Sequence, residues 1–431
     1  MHLIAATTVA WLVYFVVLNA AARLIPLFDA SPRLVHPSLW PLVRWDSFHF
    51  VAIANDGYRY EHQWAFLPAT PFLVSLVPLP WWPLALLGLA CASTTTLYKL
   101  TLHHFPASPS LARLTALTAL LPSSSPTLYF APYAEPFFTF LSYKGMCHYI
   151  PMNFSVTPIH QECSMQHKSN GFLPPSVSPS LLPFDQTVFS SAATSFGASS
   201  SIRFSPARRS VPSALPTPSP HRPILVQTSL SRITYAAVLA ATVATPFVYH
   251  SYLAYQLFCT PTSSVHPPPW CSHHLPSIYT YVQSKYWNVG FLRYWSLPQI
   301  PNFLIATPPL MLLLAFSFHH LVWAFFPLLR FRFLSSSSLP HVEPTSPFLT
   351  STITPHIIHT IFISFTLLFF SHTQIILRLA AALPTIYWAA AWLLVVSPKK
   401  PWARCASLWL WWSVLWSFIS VGLWAAFMPP A

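Results

Sequence analysis

Carboxylates are nearly missing from this chain: Asp and Glu together number eight in 431 residues, against 21 Lys and Arg. Glycine is as scarce, with seven in all, so the Gly-rich loops that cradle nucleotide phosphates are excluded. The six cysteines form no CxxC pair and show no His/Cys spacing of a zinc site, and no Asp-x-Asp pair occurs. Structural zinc and the metal motif common in nucleotide-sugar enzymes are thereby set aside. Charged residues make up only 7% of the chain, far below the roughly 25% of soluble domains, which rules out a soluble globular protein. The formal net charge of +13 does not point to nucleic acid either. The basic residues stand singly at the ends of apolar runs, a pattern of membrane anchoring rather than of a phosphate-binding face.

What is present is apolar: 54% of residues, with a mean hydropathy of +0.50. Apolar runs occupy residues 3–28, Phe66–Tyr98, Leu114–Tyr129 and Ile233–Phe258, then about 303–327, 348–369, 379–397 and 405–427, and Phe137–Tyr149 is marginal. The longer ones suffice to cross a hydrocarbon core about 30 Å thick. The expected fold class is therefore all-α, a polytopic transmembrane helical protein of about 8–10 spans. A cleavable signal peptide is the alternative for the first run, but it lacks a basic n-region and exceeds a usual h-region, which favours an uncleaved span. The chain divides into an N-terminal membrane region, 1–146, a segment 147–231, and a C-terminal membrane region, 232–431. Segment 147–231 is Ser- and Pro-rich with scattered Arg and no periodicity, and reads as a disordered insert. The sequon at Asn153 within it carries little weight. Basic residues Arg330 and Arg332 lie in one inter-span loop and Lys399, Lys400 and Arg404 in another. With both loops cytosolic, strict alternation places the loops 29–65, 130–136, 256–302 and 370–378 together on the opposite side.

Three of the eight acids, Asp46, Asp56 and Glu61, fall between Arg44 and Pro68. A carboxylate near a bilayer is costly and is kept for pairing, solvation or chemistry. Asp46 reads either as a helix N-cap or as a general base at the membrane interface, with His49 one helical turn on. Glu61 and His62 either cap the next span or line a cavity. Between Tyr286 and Trp295 the aromatics suit an interfacial belt, but Trp287, Asn288 and Arg293 are a less passive set, and an Arg is suited to clamp a phosphate. His372, Gln374 and Arg378 offer a second clamp. Cys259 and Cys271 share a loop and are candidates to pair in an oxidising lumen. The layout suits sugar transfer from a lipid phosphate: a carboxylate takes the proton of the acceptor hydroxyl, and cations settle the departing phosphate.

The stretch WDSFHFVAIANDGYRYEHQWAFLPATP (Trp45–Pro71) resembles the first luminal loop of the GPI mannosyltransferase 2 family, particularly its fungal members. PWCSHHLPSIYTYVQSKYWNVGFLRYWSLPQIPNFLIATP (Pro269–Pro308) is similar to that family's large later loop, and HTQIILRLAAALPTIYWAAAWLL (His372–Leu394) to its penultimate segment. The resemblance covers about 1–146 and 233–431. It implies the glycosyltransferase-C architecture and inverting transfer of the second, α-1,6-linked mannose from dolichyl-phosphate mannose to the GPI precursor, in the endoplasmic reticulum membrane, facing the lumen. It also implies Trp45 and Asp46 as the catalytic pair, and a small accessory membrane subunit. No metal and no cofactor beyond the donor are expected. Whether Glu61 or Glu135 shares the work of Asp46 stays open. Where the family has further spans and an Arg-Ser-Asn-Gly motif, this chain has 147–231, with Lys168 before Ser169-Asn170-Gly171; a retained intron or shifted frame would explain it. A non-catalytic subunit of the same pathway and a lipid or solute transporter are the alternative functions.

Overall fold

Lipid offers the backbone no hydrogen-bond partners, so a chain this apolar satisfies its own N–H and C=O groups within helices. The computed structural model describes residues 2–28, 39, 41–149, 230–260, 267–327, 329, 346–396 and 402–428, and no strand occurs among them. Most of segment 147–231, with Asn153 and Lys168 to Gly171, and residues Arg330, Arg332, Lys399 and Lys400 lie outside the described residues.

Among the described residues five helical segments are long and apolar enough to cross a membrane: α1 (His2–Leu24), α8 (Leu230–Cys259), α10 (Ile300–His320) with its flanking turns from Leu297 to Phe325, α11 (Thr354–Phe369) with the turn from Ser351 before it, and α14 (Trp402–Ala425). Two bent pairs raise the number to seven. The first joins α3 (Ala69–Leu76) to α4 (Trp82–His104) at 98°, and the second joins residues 373–382 to α13 (Pro384–Val396) at 86°. Both breaks have one cause. Pro78 and Pro384 force the residues before them, Val77 and Leu383, into extended backbone and out of the helix. The described residues thus give five to seven spans where eight to ten are expected. The apolar stretch at α5 (Pro109–Thr118) forms a helix of 10 residues, shorter than the roughly 20 that a crossing needs, and α7 (Glu135–Tyr149) is described over 15 residues, up to the edge of the described chain.

Two apolar cores fill the bundle. One, around Trp388, Phe316 and Leu313, joins α4, α10, α11 and α13. The other, around Trp82, Trp270 and Trp424, lies under the loops of the opposite end. Indole N–H groups tie the short loop after α6 (Ser125–Tyr129) into this second core: Trp11 donates to the carbonyl of Tyr129 at 3.2 Å and Trp82 to that of Ala131 at 3.0 Å. Backbone bonds join further helix ends there, from Phe28 to Ala426 (2.8 Å) and from Leu292 to Phe369 (2.7 Å). The described parts of all four loops expected on one side therefore meet at one end of the bundle, where α2 (Asp46–Asp56) and α9 (Ile278–Trp287) also lie.

Candidate active site

Asp46 opens α2, where the helix N-terminus favours a negative charge. The residue before it, Trp45, has φ 51° and ψ −121°, a backbone conformation that a bulky side chain adopts only when its surroundings over-determine it. Those surroundings are on both sides. The indole of Trp45 stacks on Phe427 (centroids 5.2 Å apart) while remaining 38% exposed. Neighbouring Arg44 is fully buried and donates to the carbonyls of Trp424 at 3.3 Å and Val43 at 3.0 Å. Burial lowers the Arg44 pKa to about 10, which leaves it a cation at neutral pH.

The Asp46 carboxylate meets Arg378, whose Nη1 donates to Oδ2 at 3.0 Å. The same guanidinium donates from Nε to Oε1 of Glu135 at 2.6 Å, and its Nη2 lies 2.5 Å from that oxygen in an ion pair. Its carbon lies 4.8 Å from the centre of the Tyr133 ring, a cation–π contact. Tyr133 ties the group to the backbone: its hydroxyl accepts from the N–H of Asp46 (3.1 Å) and donates to the carbonyl of Arg44 (3.3 Å). Burial and then the charge of Asp46 push this phenol well above its ordinary pKa, so it keeps its proton. One oxygen of Asp46, Oδ1, accepts no hydrogen bond from the described residues, and the side chain is 32% exposed. A carboxylate held by one oxygen and open at the other is arranged to receive a proton.

The remaining candidates are held by contacts of their own. His49 stacks on Phe66 (4.6 Å) and meets His62 edge-on (5.3 Å). Burial lowers its pKa, against the pull of Asp46, and keeps it neutral. His62 also stacks on Tyr60 and faces Tyr286. Glu61 has both oxygens engaged, by Trp270 Nε1 (3.3 Å), Lys285 Nζ (2.9 Å) and the Tyr286 hydroxyl (3.0 Å). It braces α9 against the first loop rather than standing open to a ligand. Cys259 and Cys271 form a disulfide, which holds the loop next to Trp270 and so supports the same brace.

Trp287 packs edge-on against Phe66, and its carbonyl accepts from His372 Nε2 at 2.7 Å. Asn288 ends α9 in the left-handed conformation, φ 52°, a position that Asn tolerates better than most residues. Arg293 is exposed and donates to Ser284 Oγ at 2.5 Å, and no carboxylate pairs with it among the described residues. Its side chain lies over Gly290, where a Cβ would come within 2.8 Å of Arg293 Cδ. Gln374 accepts from the Tyr294 hydroxyl, which in turn accepts from Asn302 at 2.9 Å, and His372 stacks on Tyr294 at 4.6 Å.

The structure thus brings Asp46 and Arg378 into contact, sets His49 and Trp287 against Phe66 with His62 edge-on to His49, and places His372 and Gln374 in the support of the 287–302 loop. Two further groups at this centre carry weaker signals in the sequence: Glu135 is left open there as a partner in the work of Asp46, and Tyr133 falls within the loop 130–136 without a role of its own. Among the described residues no group of three or more His, Cys, Asp or Glu is placed to hold a metal ion.

Comparison with known proteins follows the same lines. The family model described as Mannosyltransferase (PIG-V) matches residues 11–431. GPI mannosyltransferase 2 of Cryptococcus neoformans is 29% identical over 96% of this chain and 95% of its own length. The protein of that name from Aspergillus fumigatus is 30% identical over 96% and 87%. GPI alpha-1,6-mannosyltransferase 2 of Mus musculus is 30% identical over 89% and 78%. No solved structure matches the chain.

Proposed function

The chain belongs to the PIG-V mannosyltransferase family, and from that membership we propose that it adds the second mannose of the GPI anchor through an α-1,6 linkage, with dolichyl-phosphate mannose as donor. In this reading Asp46 Oδ1 takes the proton of the acceptor's 6-hydroxyl as that oxygen attacks the anomeric carbon of the donor mannose. The new O–C1 bond forms with inversion, the C1–O bond to phosphate breaks, and its electron pair leaves with dolichyl phosphate. Arg293, exposed and without a carboxylate partner among the described residues, is suited to receive that phosphate. Trp45 acts through its constrained backbone, which sets the direction of the first turn of α2 and hence of Asp46. The scheme calls on no metal ion.

The observation that carries the reading is the half-buried Asp46 carboxylate, fixed through one oxygen and open at the other. The disulfide beside the site supports placing this end in an oxidising compartment, the lumen of the endoplasmic reticulum. A small accessory membrane subunit is part of the same proposal. The test is mannose transfer in microsomes supplied with dolichyl-phosphate mannose and the mono-mannosylated GPI precursor. Asp46→Asn keeps the side-chain shape and removes the base, and is expected to lower turnover by about 10²–10⁴-fold without loss of folded protein. Full turnover by folded D46N would instead support a non-catalytic role in the pathway.

A further inference from the structure

The two carboxylates on Arg378 are not equivalent. Glu135 Oε1 accepts one N–H of the guanidinium at 2.6 Å and lies 2.5 Å from a second nitrogen, Nη2, with its side chain 12% exposed. Asp46 receives one, at 3.0 Å, and is 32% exposed. The deeper and shorter contacts therefore belong to Glu135, which opens α7 and carries a charge that the helix N-terminus favours. Its other oxygen, Oε2, is buried and has no hydrogen-bond partner. A buried carboxylate with an idle oxygen is costly and is retained where something depends on it. The Tyr133 ring covers the face of the guanidinium, so its plane as well as its position is set. With Nε and Nη2 occupied by Glu135, only Nη1 is left to reach Asp46 Oδ2. A lysine presents one ammonium group and cannot reproduce this fork.

We propose that Glu135 is a positioning residue for the transfer reaction: it locks the Arg378 guanidinium so that Nη1 always holds Oδ2 of Asp46, which leaves Oδ1 facing the acceptor hydroxyl. The proposal rests on Asp46 as the base. Glu135 touches neither reacting sugar, so its loss changes the orientation of Asp46 rather than the binding of either substrate. A misplacement of a catalytic group by about 1 Å costs on the order of 10²-fold in rate.

The experiment is steady-state mannose transfer by the full chain in detergent or microsomes, with kcat expressed per folded enzyme, for wild type, E135Q, E135D, R378K and D46N. E135Q is expected to lower kcat by about 10–100-fold with the KM for donor and acceptor within about twofold of wild type. E135D, which keeps the charge, recovers part of that loss, and R378K loses as much as E135Q. Wild-type kcat in E135Q overturns the proposal, as does a loss confined to KM or to the amount of folded enzyme, or an E135D no better than E135Q. Should E135Q fail to accumulate, the kcat of folded E135D and R378K decides: losses without a KM change support the proposal, and unchanged kcat in both overturns it. D46N separates the two layers. An active D46N removes the base itself, whereas an inactive D46N beside a fully active E135Q removes only the role of Glu135.

Discussion

The two ends of the helical bundle both bury polar side chains, but they settle them differently. At the site end Asp46 and Glu135 pair with Arg378, one carboxylate oxygen has no partner among the described residues, and Trp45 is held at positive φ. At the other end the polar groups are histidines. His104 Nε2 lies 3.2 Å from His356 Nε2, and its Nδ1 lies 3.1 Å from the Thr352 hydroxyl. His320 sits between the carbonyl of Phe348 (3.0 Å) and the Thr354 hydroxyl (2.9 Å). No carboxylate among the described residues forms a salt bridge with any of these three. A neutral ring can be satisfied by one donor and one acceptor, so such a cluster closes helix ends at modest cost. A charge retained in apolar surroundings needs an opposite charge and keeps a field that can act on a substrate. Buried polarity by itself therefore does not mark a site; retained charge with an open lone pair does.

Removing Arg378 probes this contrast hardest. R378A leaves Asp46 and Glu135 facing each other without a cation and is expected to cost about 3–5 kcal/mol of stability, read as a lowered thermal midpoint in detergent, along with loss of transfer activity. An unchanged midpoint would place the pair among contacts worth little.

A smaller effect comes from His49, beside the site but neutral. Burial holds its folded pKa below the ordinary 6.5, so below pH 6.5 the unfolded chain binds more protons than the folded one. Stability is full above pH 6.5 and falls as the pH drops towards the folded pKa, by at most ~1.4 kcal/mol per pH unit for this one group. Thermal midpoints of wild type and H49Q between pH 7.5 and 5.0 measure it, and H49Q is expected to show the shallower decline.

H356Q should give the smallest change, about 1 kcal/mol or less, with kcat as in wild type. A kcat loss comparable to that of R378A would erase the distinction between the ends.

Much of the architecture was legible in the residues because lipid leaves a chain few options: long apolar runs become helices, and the loops between them alternate sides. Asp46 stood out for the same reason, as a rare acid at a membrane edge. Other features were hidden by sequence distance. Glu135 and Asp46 lie 243 and 332 residues from the arginine they share, and with 21 basic residues available nothing local selects Arg378. Glu61 carried the same signal as Asp46, yet its oxygens went to Trp270, Lys285 and Tyr286. Which acid stays open depends on what packs over it. Among the described residues five to seven spans stand where eight to ten are expected, because run length reveals neither the sharp bends at Pro78 and Pro384 nor the shortness of α5.

Composition and run length settled that this membrane mannosyltransferase is a helical, multi-pass protein, and residue order put three of its eight acids in one loop, since hydrophobic burial and backbone satisfaction depend on residue type and run length. The pairing of charges, the φ of Trp45 and the free oxygen of Asp46 were decided only when α2, α7 and the segment carrying Arg378 packed together. Electrostatic contacts reach a few ångströms, and only the folded chain brings residues so far apart in sequence within that range.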